Sequence, residues 1–135
     1  MKISIITATY NSAKTLQACM DSVLHQTYKT IEYIIIDGGS YDGTLELVKS
    51  NAQNHPHIVW VSEQDKGIYD ALNKGILKAT GDVIGFVHSD DFLADDTIIE
   101  RIVHVFKTEK VDGVYGNLNY VKFDDVNQVV RNWTS

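Results

Sequence analysis

The stretch "IEYIIIDGGSYDGTLELV", residues 31–48, sets the pattern that the rest of the chain repeats. A β-branched, apolar run ends at Asp37, a glycine-rich turn follows, and Leu45 and Val48 then begin a helical pattern. β-Branched runs of this length favour strands, and glycine permits tight turns. The stretch therefore predicts a strand, a turn and a helix in succession.

The same alternation runs along most of the chain. Apolar runs predict four strands, at residues 3–8, 31–37, 57–63 and 82–88. Helical spacing predicts helices that follow Ser12 and Thr44 and cover residues 67–79 and 97–107, and two further strands at 111–123 and 128–133 would be joined as a hairpin. Nearly all-apolar strands that alternate with helices predict an α/β fold, a mainly parallel sheet with helices on both faces.

Length and composition indicate one globular domain. The chain has 135 residues, of which 44% are hydrophobic and 22% are charged. Its net charge of −6 and the lack of a basic run argue against nucleic acid as a partner. Cys19 is the only cysteine, which excludes a disulfide framework and a thiolate metal cluster.

Nothing in the sequence predicts a membrane span or a leader. No run approaches the roughly 18 apolar residues that a span requires. The opening "MKISIITATY" (1–10) is too short and too polar for a signal peptide. We therefore expect a cytoplasmic protein, and peripheral contact with the inner face of the membrane remains compatible with it.

Each of the first four predicted strands ends in polar, mostly acidic residues. The four ends are Thr9-Tyr10-Asn11, Asp37-Gly38-Gly39, Glu63-Gln64-Asp65 and Ser89-Asp90-Asp91. Because the carboxyl ends of parallel strands share one edge of a sheet, and ligands bind beyond that edge, these residues predict a ligand site.

Several of these residues also have ordinary structural interpretations. Asp37 can accept hydrogen bonds from a base or a sugar, or simply turn the chain, and Asp42 is placed like a helix N-cap. Tyr10 can lie against a planar base or be an ordinary surface tyrosine. Asp65 is the natural N-cap of the next helix, where Lys66 and Lys74 can approach phosphates.

The pair Asp90-Asp91 is the most informative feature. Adjacent carboxylates repel one another unless a cation or hydrogen-bond donors compensate. Mg²⁺ typically uses one or two protein carboxylates together with substrate phosphates, and this explains the pair better than helix capping does. Asp95 or Asp96 is the better cap for the helix that follows, and a structural role is favoured for His88. The chain contains no P-loop, and no G-x-G-x-x-G follows its first strand.

Taken together, three segments resemble the nucleotide-sugar half of family 2 glycosyltransferases, inverting enzymes with the GT-A fold. They are "SIITATYNSAKTLQACMDSVLHQTY" (4–28), "EYIIIDGGSYDGT" (32–44) and "SEQDKGIYDALNKGILKATGDVIGFVHSDD" (62–91). "VYGNLNYV" (114–121) and "VVRNW" (129–133) are similar to the continuation of that family in bacterial surface-polysaccharide transferases. The resemblance implies a Rossmann-like three-layer sandwich that is shortened at its C-terminal end.

The resemblance also implies roles for individual residues. Ala8, Thr9 and Tyr10 would line the pocket for the base. Asp37 would hydrogen-bond the base, and Asp65 would lie beside the nucleotide-sugar.

At the fourth strand end, the resemblance places Asp90 near the ribose and sugar. Asp91 would ligate Mg²⁺ or Mn²⁺ that bridges the diphosphate. Two departures from the family pattern stand out: the D-x-D motif appears as Ser89-Asp90-Asp91, without its first carboxylate, and Ala8 replaces the usual proline. The first departure makes the number of protein ligands to the metal an open question.

The resemblance implies a single donor-binding domain over residues 1–135. Residues 1–96 would form the nucleotide-sugar-binding core, and 97–135 would lead towards an acceptor half that the chain lacks. The general base that deprotonates the acceptor is expected beyond residue 135, since Asp124 and Asp125 follow Asp91 too closely and lie in a predicted turn.

The implied function is inverting transfer of a hexose from a nucleotide-diphospho-sugar, with UDP as the expected nucleotide, to a glycan or lipid-linked acceptor in polysaccharide biosynthesis. Two alternatives stay open. A nucleotidyltransferase would share the sheet and the metal carboxylates, but it should carry a glycine-rich loop after the first strand. A non-catalytic nucleotide-sugar-binding or oligomerisation domain fits the missing base, and an exposed sheet edge would favour a homo-oligomer.

Overall fold

The computed structural model describes residues 1–109, 112–113, 118–121 and 129–133. The chain forms two compact units, Met1–Arg101 and Ile102–Ser135.

The first unit is built on four parallel strands. In chain order they are β1 (Ile3–Thr9), β2 (Ile31–Asp37), β3 (Ile58–Ser62) and β4 (Val83–Phe86). Helices α1 (Leu16–Leu24), α2 (Thr44–Asn54) and α3 (Ile68–Lys78) connect them, and α4 (Ile98–Glu109) begins in this unit and continues into the second. The strand order is β3-β2-β1-β4, and every pair is parallel, which confirms the predicted α/β class.

The register brings the strand ends to one edge of the sheet. Thr9 of β1 pairs with Asp37 of β2, and Asp37 pairs in turn with Ser62 of β3. On the other side of β1, Ile6 pairs with Phe86 of β4. The turns after all four strands therefore leave the sheet at its carboxyl edge, as the sequence predicts.

Helices cover both faces of this sheet. On one face, Ile6 and Ile34 pack with Ala71 of α3 in one buried cluster. On the other, Thr7 Oγ1 lies 3.7 Å from Cys19 Sγ of α1. Successive strand residues point to opposite faces, so one β-branched strand supplies both contacts and the unit has three layers.

Gly75 sets how closely α3 approaches the sheet. A Cβ atom at this position would lie 2.5 Å from Cγ2 of Ile6. This close contact explains why a poor helix former occupies the middle of α3.

A polar network closes the amino edge of the same sheet. The carboxylate of Glu32 accepts hydrogen bonds from Ser4 Oγ (2.8 Å), Thr80 N (2.9 Å) and Thr80 Oγ1 (2.8 Å). Lys2 Nζ lies 3.5 Å from Glu32 Oε2. Burial raises the pKa of Glu32, but the hydrogen bonds and the lysine charge outweigh burial, and the pKa lies below its usual value.

The second unit contains the rest of α4 and an antiparallel pair, β5 (Leu118–Val121) and β6 (Val129–Trp133). Leu118 pairs with Trp133, and the register shifts between Tyr120 and Val121. The predicted pairing of two strands is confirmed, and residues 114–117 and 122–123 of the first predicted strand lie outside the described residues. The predicted turn with Asp124 and Asp125 lies outside the described residues.

Some element boundaries differ from the sequence prediction for local reasons. The helix predicted after Ser12 begins only at Leu16, because a turn comes first, in which the carbonyl of Ser12 accepts from the amides of Thr15 and Leu16. The helix predicted from Gly67 begins at Ile68, because Gly67 has φ of 114° and cannot belong to a right-handed helix. Among the described residues, no helix combines the length and apolar character needed to cross a membrane.

Candidate functional site

A cavity of about 560 Å³ opens at the carboxyl edge of the first unit. This volume lies within the range of small-molecule sites. The lining comes from the turns after β1, β2 and β4 and from the approach to α3: Ala8, Thr9, Tyr10, Ser12, Gly38, Gly39, Gln64, Asp65, Gly67, Ile68, Ala71 and Ser89.

Two glycines and one carboxylate form the floor of this cavity beside β2. A Cβ atom on Gly38 would lie 3.0 Å from Asp65 Oδ2, so a side chain there would press on the carboxylate. Gly39 has φ of 87°, a conformation that glycine adopts without strain. Asp65 Oδ1 accepts a hydrogen bond from Gly67 N at 3.0 Å, although the N-cap position of α3 is Gly67 itself. Asp65 is thus held just ahead of the helix, and not as its predicted N-cap.

Asp37 precedes the lining residue Gly38 but does not itself line the cavity. It is completely buried, and its carboxylate accepts hydrogen bonds from Gly39 N (3.2 Å), Ser40 N (3.0 Å), Ser40 Oγ (2.5 Å) and Ser62 Oγ (2.7 Å). These hydrogen bonds hold the turn after β2 in place, so Asp37 has a structural role. Its contact with a base stays a prediction.

Two exposed tyrosines stand at the rim. Tyr10 is 57% exposed and Tyr41 is 82% exposed, and their ring centroids lie 6.3 Å apart in an edge-on arrangement. Asn11, with φ of 48°, joins their two loops because its Oδ1 accepts from Tyr41 N at 3.0 Å. The charge of a nearby Tyr41 raises the pKa of Tyr10. Both exposed rings offer apolar faces to a planar ligand.

The carboxylates of Asp90 and Asp91, which follow β4, have no hydrogen-bond or ion-pair partner within residues 1–109. Both residues are exposed, and neither side chain hydrogen-bonds another residue within 1–109. Partial burial of the Asp91 carboxyl group raises its pKa, the charge of Asp90 raises it further, and His88 lowers it. A cation would relieve this repulsion.

Two buried polar atoms lack a partner among the described residues, and both lie at this edge. They are Thr9 Oγ1 at the end of β1 and His88 Nδ1 after β4. Thr9 is only 4% exposed and lines the cavity. Buried polar atoms are nearly always hydrogen-bonded, so an unpaired hydroxyl in a cavity wall indicates a place for a ligand atom.

The residues fit a divalent ion that a substrate helps to hold. In the part of the chain that the structure describes, no three His, Cys, Asp or Glu side chains are grouped to enclose a metal. Asp90 and Asp91 supply hard oxygen ligands, as Mg²⁺ and Mn²⁺ prefer, and phosphate oxygens would have to complete the coordination.

The structure brings the predicted site residues together only in part. Ala8, Thr9, Tyr10 and Asp65 line the cavity, whereas Asp37, Asp90 and Asp91 lie at the same edge but not in its lining. Lys74, expected near phosphates, instead pairs with Glu63 at 3.1 Å and with Asp70, one helical turn earlier on α3, at 3.6 Å.

Sequence reasoning did not single out Ser12, Ile68 or Ala71 as lining residues, and it named Ser89 only as part of the fourth strand end. Ser12 and Ser89 are joined by their hydroxyl oxygens at 3.0 Å, across a sequence separation of 77 residues. Ile68 and Ala71 face the cavity from the first turn of α3. Their position after the turn residue Gly67 was the available signal, since the first turn of such a helix points at the ligand edge.

Comparison with known proteins now identifies the family. The family model described as "Glycosyl transferase family 2" matches residues 4–134. This chain belongs to glycosyl transferase family 2. The resemblance seen in the sequence is confirmed, and the match speaks against a nucleotidyltransferase.

Curated relatives agree with this assignment. An uncharacterized glycosyltransferase of Nostoc sp. is 36% identical over 126 residues, which cover 93% of this chain and 39% of the relative. A PGL/p-HBAD biosynthesis glycosyltransferase of Mycobacterium tuberculosis is 38% identical over 117 residues, 85% of this chain and 46% of the relative. The chain thus spans less than half the length of these family 2 proteins.

Solved structures confirm the GT-A fold. The mannosyltransferase PcManGT from Pyrobaculum calidifontis, in complex with GDP-Man and Mn²⁺, aligns with a TM-score of 0.73 and 26% identity over 90% of this chain and 35% of that one. S. aureus TarS 1-349 in complex with UDP-GlcNAc aligns with a TM-score of 0.71 and 26% identity over 81% of this chain and 32% of that one.

Proposed function

We propose that this family 2 chain binds a nucleotide-diphospho-sugar, with UDP as the nucleotide, in the cavity at the carboxyl edge of its sheet. The carrying observation is the cavity itself, whose lining contains Ala8, Thr9, Tyr10 and Asp65. The family resemblance assigns these four residues to the nucleotide-sugar. The neighbours crystallised with GDP-Man and with UDP-GlcNAc support the ligand class.

The cavity suits the two ends of such a ligand. A planar base would lie along Ala8 and the exposed ring of Tyr10, which both line the cavity. A sugar hydroxyl can donate to Asp65, whose carboxylate accepts one hydrogen bond within the described residues, from Gly67 N. The unpaired hydroxyl of Thr9 would gain a partner.

Asp91, with Asp90 beside it, would hold Mg²⁺ or Mn²⁺ against the diphosphate. A bound ion of this kind stabilises the negative charge of a departing nucleoside diphosphate. The Mn²⁺ in the complex of the Pyrobaculum neighbour supports this part of the proposal. Ser89 lines the cavity immediately before the pair, so the carboxylates are within one or two residues of the ligand.

The proposed reaction is inverting transfer of a hexose. An acceptor hydroxyl attacks the anomeric carbon from the side opposite the nucleotide, the bond between that carbon and the phosphate oxygen breaks, and the hydroxyl proton passes to a general base. We assign no base among the described residues. The proposed acceptor is a glycan or a lipid-linked sugar in polysaccharide biosynthesis, and the proposed location is the cytoplasm or the inner face of the membrane.

We also propose the division of labour along the chain that the sequence predicts. Residues 1–96 act as the donor-binding core, and 97–135 lead towards the acceptor. Every residue of the candidate site lies in the first compact unit, Met1–Arg101, which supports the first half of this division.

Isothermal titration of UDP, with GDP for comparison, tests the donor site directly. The titrations are made with and without Mn²⁺ on the wild type, Asp91→Ala and a control, Asp96→Ala, which removes an exposed carboxylate from the same loop. We expect UDP to bind more tightly with Mn²⁺, Asp91→Ala to lose that gain, and Asp96→Ala to keep it. Preference for GDP would correct the nucleotide, and no binding of either would refute the proposed function.

A second candidate, a non-catalytic nucleotide-sugar-binding or oligomerisation domain, is favoured by one observation. Ile84 and Phe86 on β4 are 40% and 46% exposed, and within the four-stranded sheet β4 is an edge strand. Such an edge is suited to pairing with a second copy. Sedimentation velocity over a range of concentrations distinguishes the two: a dimer that dissociates in Phe86→Glu would support the second candidate, and a monomer at all concentrations would exclude a homo-oligomer.

A further inference from the structure

The last turn of α1 holds the segment that follows the acidic pair. Ser22 lies in the last turn of α1, and Gln26 follows shortly after the helix, whose last residue is Leu24. Both side chains make hydrogen bonds to backbone atoms of residues 93–99. These contacts are separated by about 70 positions in sequence, and none of them belongs to the sheet or to the cavity.

Gln26 makes the more extensive contact. It is 1% exposed, and its Nε2 donates to Asp95 O at 2.7 Å and to Ser22 O at 2.9 Å. Its Oε1 accepts from Ile99 N at 2.9 Å. One amide therefore joins the end of α1, the loop after β4 and the first turn of α4, where backbone amides otherwise lack partners.

Ser22 makes the contact nearest to the acids. Its Oγ donates to Cys19 O at 2.8 Å and accepts from Leu93 N at 3.0 Å. Leu93 is two residues after Asp91. A backbone hydrogen bond also joins the two segments, since Thr27 N donates to Asp96 O at 2.8 Å.

The other side of the acidic pair is anchored as well. Thr7 Oγ1 donates to Val87 O at 2.7 Å, and the hydroxyl oxygens of Ser12 and Ser89 lie 3.0 Å apart. Residues 90–92 form a short span between these anchors and Leu93. The position of Asp91 is thus set by groups on both sides of it, although its own carboxylate bonds to no other residue within 1–109.

We propose that Ser22 and Gln26 are positioning residues for Asp91. They hold the loop after β4 against α1, so that the carboxylate is already in place when a metal and a diphosphate arrive. This role rests on the proposed function, because it requires Asp91 to act on a metal-bound nucleotide. Groups that orient a metal ligand without touching the ion commonly change metal affinity about 10- to 100-fold when they are lost.

The test compares Gln26→Met with Gln17→Met. Both replace a glutamine by an apolar side chain of similar length, but Gln17 lies within α1 and bonds to Asp21 and Asn51, away from the loop. Ser22→Ala and Ser22→Thr form a milder pair, in which threonine restores the hydroxyl. The dissociation constant of UDP is measured with and without Mn²⁺, and hydrogen exchange is measured at the amides of Leu93 and Ile99.

We expect Gln26→Met and Ser22→Ala to lose about tenfold in UDP affinity with Mn²⁺ and little without it. Exchange should quicken at Ile99 in the first variant and at Leu93 in the second. Gln17→Met should keep the metal-dependent affinity even where its thermal stability falls, and Ser22→Thr should restore it. If Gln26→Met does not fold, the two Ser22 variants decide.

Two results would overturn this role, and they are distinguishable. Variants with quicker exchange at Leu93 or Ile99 but unchanged metal-dependent affinity would show that the loop is held for stability alone. A wild type that binds no nucleotide with or without Mn²⁺ would refute the proposed function, and the positioning role with it.

Discussion

Glu32 at the amino edge of the parallel sheet and Asp91 at its carboxyl edge have opposite electrostatic surroundings. At the amino edge, Glu32 is surrounded by donors from Ser4, Thr80 and Lys2, and its pKa lies below the usual value. At the carboxyl edge, partial burial and the neighbouring Asp90 raise the pKa of Asp91. The described residues stabilise the charged form of Glu32. They disfavour the charged form of Asp91, which a bound cation would stabilise.

This difference separates an acid that the described residues already satisfy from a pair of acids that the proposed metal ion would compensate. A carboxylate with its hydrogen bonds completed by the protein gains nothing from a cation, whereas an uncompensated pair does. The same contrast appears in neutral groups, since Ser4 Oγ both donates to Glu32 and accepts from Gly81 N, while Thr9 Oγ1 is unpaired. Substitutions at the two edges should therefore affect different measurements.

The largest stability effect is expected at the amino edge. Glu32→Gln removes the charge that attracts Lys2 and turns an amide towards the donors of Thr80 and Ser4. Because the Glu32 side chain is only 13% exposed, we expect a loss of about 1–3 kcal/mol in the free energy of unfolding. Urea denaturation near neutral pH measures it, with the exposed Glu109→Gln as control, and nucleotide affinity should not change.

The effect of Glu32 should also depend on pH in a defined direction. A carboxyl group whose pKa is lowered in the folded state stabilises the protein above its unfolded pKa, and this contribution is lost as pH falls through the folded pKa. The stability gap between the wild type and Glu32→Gln should therefore be constant near neutral pH and shrink below the ordinary glutamate value of 4.5. A gap that widens on acidification would contradict the network described here.

A smaller effect, on binding, is expected from Gly38→Ala at the carboxyl edge. The new Cβ would lie 3.0 Å from Asp65 Oδ2 and push that carboxylate by a few tenths of an ångström. We expect UDP affinity to fall about three- to tenfold, while stability changes by less than about 0.5 kcal/mol. Gly113→Ala is the matched control, because a Cβ there meets no atom within 4 Å. Equal affinity in both variants would remove Asp65 from the binding site.

The smallest effect is expected from Asp91→Asn on the stability of the unliganded protein. Removing a charge that burial and Asp90 disfavour should raise the free energy of unfolding by at most a few tenths of a kcal/mol. Chemical denaturation without metal measures this change, with Asp96→Asn as reference. A clear loss of stability would show that Asp91 stabilises the folded protein, as Glu32 does, and would contradict the difference drawn between these two acids.

Much of the fold was predictable from local patterns. The β-branched runs and helical spacing placed the first four strands and their helices within a few residues, because burial on both faces forces nearly continuous apolar strands. The shared carboxyl edge followed from the parallel order alone. β4 illustrates the error at boundaries: it was predicted over residues 82–88 and observed as Val83–Phe86, since Val87 begins the turn to the acids.

The site was less predictable, because its geometry depends on contacts across long sequence separations. The buried carboxylate of Asp37 accepts a hydrogen bond from the hydroxyl of Ser62, which is 25 residues away in sequence. Gln26 gave no signal, since a glutamine after a helix is ordinary until the loop of residues 93–99 buries it. Sequence reasoning named the acids at the edge, but it could not tell which of them the fold had already satisfied.

The close packing at Gly75 has a consequence for the size of ligand that the chain can accept. Ala71 stands one turn before Gly75 on the same face of α3, and it forms part of the cavity wall. Because Gly75 has no side chain, α3 packs closely against Ile6. Gly75 lies outside the cavity, but it thereby sets the position of Ala71 in the cavity wall. Exchanging small side chains along this seam would widen or narrow the cavity in steps of about one methyl group, without changing the polar residues that line it.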